Sequence, residues 1–175
     1  MEIEGLISKI RDIPDYPKPG IVFRDITPLL RDREAFSYCV KELRKRIEGE
    51  TREVDSIVGI EARGFVIGAA LAYEMGLGFV PARKKGKLPY KKISEDYTIE
   101  YGSDTLEMHA DSISKGENVL IVDDLLATGG TASAVGSMVK KLGGNVAGYA
   151  FLIWLSALGG EKKLDGNLIY LINID

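Results

Sequence analysis

Two adjacent carboxylates close an apolar run in Val119-Leu120-Ile121-Val122-Asp123-Asp124-Leu125-Leu126-Ala127-Thr128-Gly129-Gly130-Thr131. The run reads as a buried strand, and the small residues after it as a turn into a helix. In an open parallel sheet, ligands collect at the carboxyl ends of the strands. Ala127, Thr128, Gly129, Gly130 and Thr131 offer successive backbone N–H groups, two hydroxyls and a helix N-terminus, a set suited to a phosphate dianion. Carboxylates aimed at a phosphate would repel it. Asp123 and Asp124 make sense against hydroxyls, accepting hydrogen bonds from a vicinal diol such as a ribose. A ligand with a phosphate on one side and a diol beside it is a ribose 5-phosphate. The plainer alternative, a strand-to-helix turn with capping aspartates, explains less of the Thr-Gly-Gly-Thr that follows. No Gly-Lys-Ser/Thr follows either, so this is not a Walker A loop, and Gly129-Gly130 does not complete a dinucleotide fingerprint.

Other residues could join that chemistry. Arg63 follows the apolar run Ser56-Ile57-Val58-Gly59-Ile60 and precedes a helical stretch, which puts it at the same sheet edge as Asp123. Arg83-Lys84-Lys85-Gly86-Lys87 sets four cations around one glycine. Such a run is usually a solvated loop, but it could also neutralise a departing polyanion and exclude water. Phe23 lies between Val22 and Arg24 on a segment that reads as too irregular for a core strand. It suits the face of a flat base, with ordinary core as the competing role. His109 is the only histidine, which excludes a Ser-His-Asp triad or a histidine-based metal scheme within one chain, and it reads as hairpin surface. The single cysteine, Cys39, permits no intramolecular disulfide and reads as a core residue beside Phe36 and Val40.

The elements that must position these groups alternate. Ile3, Leu6, Ile7 and Ile10 recur at helical spacing, ahead of an extended loop through Asp15-Tyr16-Pro17-Lys18-Pro19-Gly20. Asp32 is an N-cap for a helix carrying Phe36, Val40, Leu43 and Ile47. Strands are expected over 56–60, 78–82, 118–122, 145–153 and 168–172. Helices are expected over 65–75, stopped by Gly76, and along Val135, Met138, Val139 and Leu142. That order implies an α/β fold, a mostly parallel sheet with helices on both faces. Residues 84–110 break the alternation with a polar loop running into a two-stranded antiparallel excursion. With 175 residues, 45% hydrophobic and 28% charged, the chain suits one domain, 1–175. A net charge of -3 argues against nucleic acid as a partner. No signal peptide or membrane-length apolar run is visible, so a cytoplasmic protein is expected.

Several segments together resemble the adenine phosphoribosyltransferase family of the type I phosphoribosyltransferases. They are the run 119–131, Pro19-Gly20-Ile21-Val22-Phe23-Arg24-Asp25-Ile26, Glu61-Ala62-Arg63-Gly64-Phe65, Arg83-Lys84-Lys85-Gly86-Lys87-Leu88-Pro89 and Glu100-Tyr101-Gly102, in the family's order. The resemblance implies the type I fold: a twisted, mostly parallel sheet flanked by helices, a base-covering N-terminal hood (1–33) and a flexible antiparallel lid (84–110). It implies transfer of phosphoribosyl from phosphoribosyl pyrophosphate to adenine, giving AMP and pyrophosphate, with Mg²⁺ carried by the substrate and water-bridged to Asp123 and Asp124. By the same resemblance Arg63, Lys84 and Lys87 contact pyrophosphate, and a cis peptide precedes the arginine. Phe23 stacks on the base, backbone groups of Val22 and Arg24 read its edge, and Leu155 closes the other face. Glu100 manages the proton, and the assembly is a homodimer. The chain departs from the family at Tyr90, commonly glycine, and at Trp154, usually acidic. The alternatives are a phosphoribosyltransferase for a 6-oxo purine (hypoxanthine, guanine or xanthine) and a non-catalytic sensor of phosphoribosyl pyrophosphate.

Overall fold

The computed structural model describes residues 2–51, 53–99 and 102–175. A short helix α1 (Ile3–Ile7) leads into a two-stranded antiparallel hairpin, β1 (Arg11–Pro14) with β2 (Val22–Asp25). Helices α2 (Thr27–Arg31) and α3 (Arg33–Glu50) follow. The alternating part is β3 (Ser56–Ile60), α4 (Arg63–Met75) and β4 (Gly78–Lys84), then the hairpin β5 (Lys92–Ile99) and β6 (Gly102–His109). It continues through β7 (Asn118–Leu126), α5 (Gly130–Lys141) and β8 (Asn145–Leu155) to β9 (Leu168–Ile174). Seven strands form one sheet in the order β5-β6-β4-β3-β7-β8-β9. The run β4-β3-β7-β8-β9 is parallel, and β6 joins it antiparallel through Arg83↔Glu107 and Lys84↔Leu106.

Strand β7 is central and buried on both faces, which is why its sequence is continuously apolar. Leu120 and Val122 enter the core beneath α3 and α4, with Leu43, Ile67 and Leu71. Val119 and Ile121 enter the core beneath α5, with Val135, Met138 and Val139. Each such aliphatic side chain gains about 1.5–3 kcal/mol on leaving water, so the site's platform is the best-buried part of the molecule.

The sequence expectations hold with shifts that have physical reasons. Asp32 caps α3, its Oδ1 accepting from the Glu34 and Ala35 amides at 3.1 and 3.0 Å. The first helix stops at Ile7, short of Ile10, because the Ser8–Ile10 turn feeds β1; Ile10 still packs on the core. The extended loop 15–20 is the connection of a hairpin, closed by the Gly20 amide donating to Asp15 at 2.7 Å, and Tyr16–Pro17 is cis. Phe23 therefore lies on a paired strand. Ladder bonds with β1 and the cross-strand pairs Asp12–Arg24 and Arg11–Asp25 hold it there, where an irregular segment was expected. Strand β7 runs four residues past Val122, so Asp123, paired with Phe151 of β8, and Asp124 sit inside it and do not follow its end.

Candidate functional site

The carboxyl ends of β3 and β7 converge. Gly64, in the first turn of α4, makes this possible: a Cβ there would lie 2.7 Å from Asp123 Oδ1 and 2.9 Å from the Val122 carbonyl oxygen. Arg63 is thereby set over β7, its Nε 2.8 Å from Asp124 Oδ2. The same guanidinium lies 4.8 Å from the centre of the Phe23 ring, within cation–π range. Tyr16 supports that ring edge-on at 5.3 Å. Three residues singled out separately in the sequence thus form one stack, Phe23–Arg63–Asp124. Arg63 Nη1 is buried without a hydrogen-bond partner among the described residues. A cis peptide joins Glu61 to Ala62, one residue ahead of Arg63.

Burial raises both aspartates above the ordinary carboxylate range. Asp123 is pushed well up by desolvation and then by the charge of Asp124. In Asp124, which is 3% exposed, desolvation is opposed by Arg63. A half-buried and a buried carboxylate sharing one guanidinium are short of hydrogen-bond donors, the condition in which sugar hydroxyls are welcome.

Beyond the aspartates the chain turns through 127–129 into α5. A small cavity of about 80 Å³ is lined by Asp123, Leu125 to Gly129, Thr131, Ala132 and Phe151. Its size suits an anion such as phosphate and not a whole nucleotide. Gly129 takes the left-handed conformation (φ 77°), and the first turn of α5 holds no acidic side chain. The helix dipole and its leading amides are therefore left for an external anion. The sequence-predicted loop Ala127, Thr128, Gly129, Gly130, Thr131 is assembled as one concave turn.

The basic run is ordered by carboxylates. Arg83 bonds Glu61 at 3.1 and 3.3 Å, and the Lys84 amide donates to Glu61 at 2.9 Å. Glu61 is held below its ordinary pKa, first by the Arg83 hydrogen bond. Since Glu61 adjoins Ala62-Arg63, it ties the start of the basic loop to the arginine's turn. Lys84 Nζ pairs with Asp104 at 2.6 Å, which raises the lysine and lowers the aspartate, and Tyr97 Oη donates to the same carboxylate at 3.2 Å. Lys87 is exposed, its amide closing a turn on the Lys84 carbonyl at 3.3 Å. Residues 92–99 and 102–109, expected as part of a lid, form β5 and β6 at the edge of the main sheet, with β5 against α5 through Glu95, Ser137 and Lys141.

The remaining predicted residues fall out unevenly. Val22 and Arg24 flank Phe23 on β2, and the Arg24 side chain is committed to Asp12. Leu155 ends β8 and packs at the margin of the core cluster shared with Ile26 and Leu29. Glu100 and Tyr101 lie outside the described residues. His109 belongs to β6, its Nε2 buried without a partner among the described residues and its ring edge-on to Tyr90 at 5.9 Å. The sequence reading missed Glu61, Tyr97 and Asp104 as working parts. Glu61 stood in a quoted motif, but nothing local marks Tyr97 or Asp104. Among the described residues no group of three or more His, Cys, Asp or Glu could hold a metal ion, and no helix is long and apolar enough to cross a membrane.

Comparisons with known proteins bear on the family and the fold. Residues 30–171 match the phosphoribosyl transferase domain family. An adenine phosphoribosyltransferase from Brachyspira hyodysenteriae is 59% identical over 156 residues, covering 89% of this chain and 91% of that protein. The crystal structure of an adenine phosphoribosyltransferase from Thermoanaerobacter pseudethanolicus superposes with a TM-score of 0.95 at 51% identity, over 98% of this chain and 99% of the other. A Saccharomyces cerevisiae adenine phosphoribosyltransferase, solved with an imino-altritol bisphosphate and adenine, gives a TM-score of 0.90 at 38% identity, over 97% of each chain.

Proposed function

The chain belongs to the phosphoribosyl transferase family, and on that premise we propose that it transfers the 5-phosphoribosyl group of phosphoribosyl pyrophosphate to adenine, releasing AMP and pyrophosphate in purine salvage. The observation that carries this reading is the continuous row formed by Phe23, Arg63, Asp124 and the loop 127–131 along one sheet edge. Its parts match, in order, a flat base, a diphosphate, a ribose diol and a 5′-phosphate.

In the reaction a purine nitrogen bonds the anomeric carbon as the carbon–oxygen bond to diphosphate breaks; the nitrogen loses a proton and the diphosphate leaves with the bonding electrons. The loop 127–131 anchors the 5′-phosphate, which fixes the sugar for attack. Asp123 and Asp124 accept from the ribose hydroxyls. Arg63, Lys84 and Lys87 stabilise charge on the leaving diphosphate. Arg63 lies over the Phe23 ring, so its movement to the diphosphate uncovers the ring for adenine, while Leu155 and the backbone of Val22 and Arg24 complete the base site. Glu100, outside the described residues, is assigned the proton on sequence resemblance alone.

Mg²⁺ fits as a partner of the substrate. Two adjacent carboxylates, short of donors, suit the waters of an ion held mainly by phosphate oxygens. When bound it neutralises diphosphate charge. Residues 1–33 serve as the hood over the base and 84–110 as the lid of a single domain, its basic turn 84–91 closing while β5 stays against α5, in a cytoplasmic enzyme. A homodimer is supported by α4, where Val66 and Tyr73 are 43% and 89% exposed on one helical face.

An assay with phosphoribosyl pyrophosphate, Mg²⁺ and each purine in turn tests the reading. AMP from adenine is expected. Preference for hypoxanthine, guanine or xanthine would overturn the base, and no nucleotide from any purine would overturn the activity.

A further inference from the structure

We propose that Gly160, far from the phosphate motif in sequence, is a positioning residue for the 5′-phosphate: its backbone forms the back wall of the loop 127–129 and sets that loop's shape. The inference rests on the function proposed above. After β8 the chain makes two short 3-10 turns, Ser156–Leu158 and Gly160–Lys163, joined at Gly159. Gly160 is buried against the phosphate loop. A Cβ on Gly160 would lie 2.1 Å from the Ala127 carbonyl oxygen, 2.8 Å from the Gly129 nitrogen and 2.9 Å from the Ala127 carbonyl carbon. The relation is reciprocal, since a Cβ on Gly129 would lie 2.2 Å from the Gly160 carbonyl oxygen. Two backbones meet with no room for one carbon between them. Every near atom is main chain, so no flexible side chain can give way.

A second backbone wall stands at Gly130. A Cβ on Gly130 would lie 2.8 Å from the Thr98 carbonyl oxygen of β5. The loop is thus clamped between β5 and the Gly160 turn. Its amides belong to the clamped peptide units, so a shift of about 1 Å would take them out of hydrogen-bond range of a phosphate oxygen.

Trp154 anchors the turn. It pairs in register with Leu126, the residue before the loop, and packs on Tyr170 with centroids 4.9 Å apart. Its indole Nε1 donates to Glu161 at 3.3 Å, tying the residue after Gly160 to β8. The tryptophan, a departure from the family's acidic residue, therefore has a structural use beside the phosphate loop.

Gly159 supplies the control. It needs glycine for its conformation (φ 63°), but an added Cβ would meet only the Lys162 side chain, at 3.7 Å and beyond. Calorimetric titration of the full chain with ribose 5-phosphate and, separately, with inorganic pyrophosphate should compare Gly160→Ala, Gly159→Ala and Trp154→Phe. Gly160→Ala is expected to weaken ribose 5-phosphate about tenfold or more while pyrophosphate changes by less than about twofold. Gly159→Ala should lower the melting temperature and keep ribose 5-phosphate affinity. Trp154→Phe, which keeps the ring and removes the N–H, should melt close to wild type and weaken ribose 5-phosphate about threefold. Unchanged ribose 5-phosphate affinity in Gly160→Ala, or equal loss of both ligands in Gly160→Ala and Gly159→Ala, would overturn the inference. If Gly160→Ala does not fold, Trp154→Phe decides, and wild-type affinity there is the contrary result. The variant comparison stands even if the wild type makes no AMP, an outcome that would overturn the proposed function alone.

Discussion

At the loop 127–131 the groups that would face a ligand are main chain, clamped between the Thr98 carbonyl and the Gly160 turn. A few residues away, at Arg63 and along the basic run after β4, they are long side chains already engaged: Arg63 with Asp124 and Phe23, Arg83 with Glu61, Lys84 with Asp104. The first region is shaped by backbone packing, and its Thr131 hydroxyl is shared with Tyr97. The second is balanced by internal carboxylates and must trade partners to bind a diphosphate. A fixed anchor beside an exchangeable clamp suits a substrate whose 5′-phosphate stays on the product while its diphosphate leaves.

Substitutions can break or sharpen that contrast. The largest effect is expected at Arg63→Ala. Steady-state kcat/KM should fall about 10²–10³-fold, the scale of losing a group that stabilises developing charge. Adenine should nonetheless bind the free variant at least as tightly as wild type by calorimetry, because the Phe23 face is cleared. Weaker adenine binding would show that Arg63 builds the base site and does not cover it.

Asp124→Asn should come next, with kcat/KM down about 10–100-fold, the range for a hydrogen bond to a charged group. The loss should fall on phosphoribosyl pyrophosphate and leave inorganic phosphate binding at the loop unchanged.

Asp104→Asn should act in the opposite direction. It frees Lys84 from a partner that is partly exposed and worth about 1 kcal/mol at most, so pyrophosphate should bind up to about fivefold more tightly. A loss of affinity would mean that the aspartate aims the lysine.

The smallest effect is a pH shift. Asp124 has a folded pKa above its ordinary value, so its protonation favours the fold. That contribution is complete below the unfolded value of 3.8 and is lost as pH rises through the folded pKa. Arg63 lowers that folded pKa, so Arg63→Ala should move the carboxyl titration, followed by ¹³C NMR, to higher pH. A shift downward would contradict the pairing.

Much of this was legible in the sequence because the sheet's central strands are buried on both faces. Ile57-Val58 and Val119 to Val122 are continuous apolar runs with helical stretches between them, and that alternation alone implies a parallel sheet. The strand, turn and helix start that make up the proposed phosphate site were legible because they are consecutive. The β1–β2 hairpin was not, since its strands are held by cross-strand charge pairs and carry no apolar alternation. The grip of Glu61 on Arg83, of Asp104 on Lys84 and of Gly160 on Gly129 spans about twenty to thirty residues each. No local pattern marks such pairs, because only the folded sheet edge brings them together.

The most direct test of a fixed phosphate anchor beside an exchangeable diphosphate clamp is a crystal structure of the protein with AMP and pyrophosphate. The 5′-phosphate should lie within 127–131, with that backbone unmoved, and the adenine on Phe23, with the Arg63 guanidinium drawn onto the pyrophosphate. A phosphate bound outside this loop, or Arg63 still stacked on Phe23 with adenine elsewhere, would contradict the account.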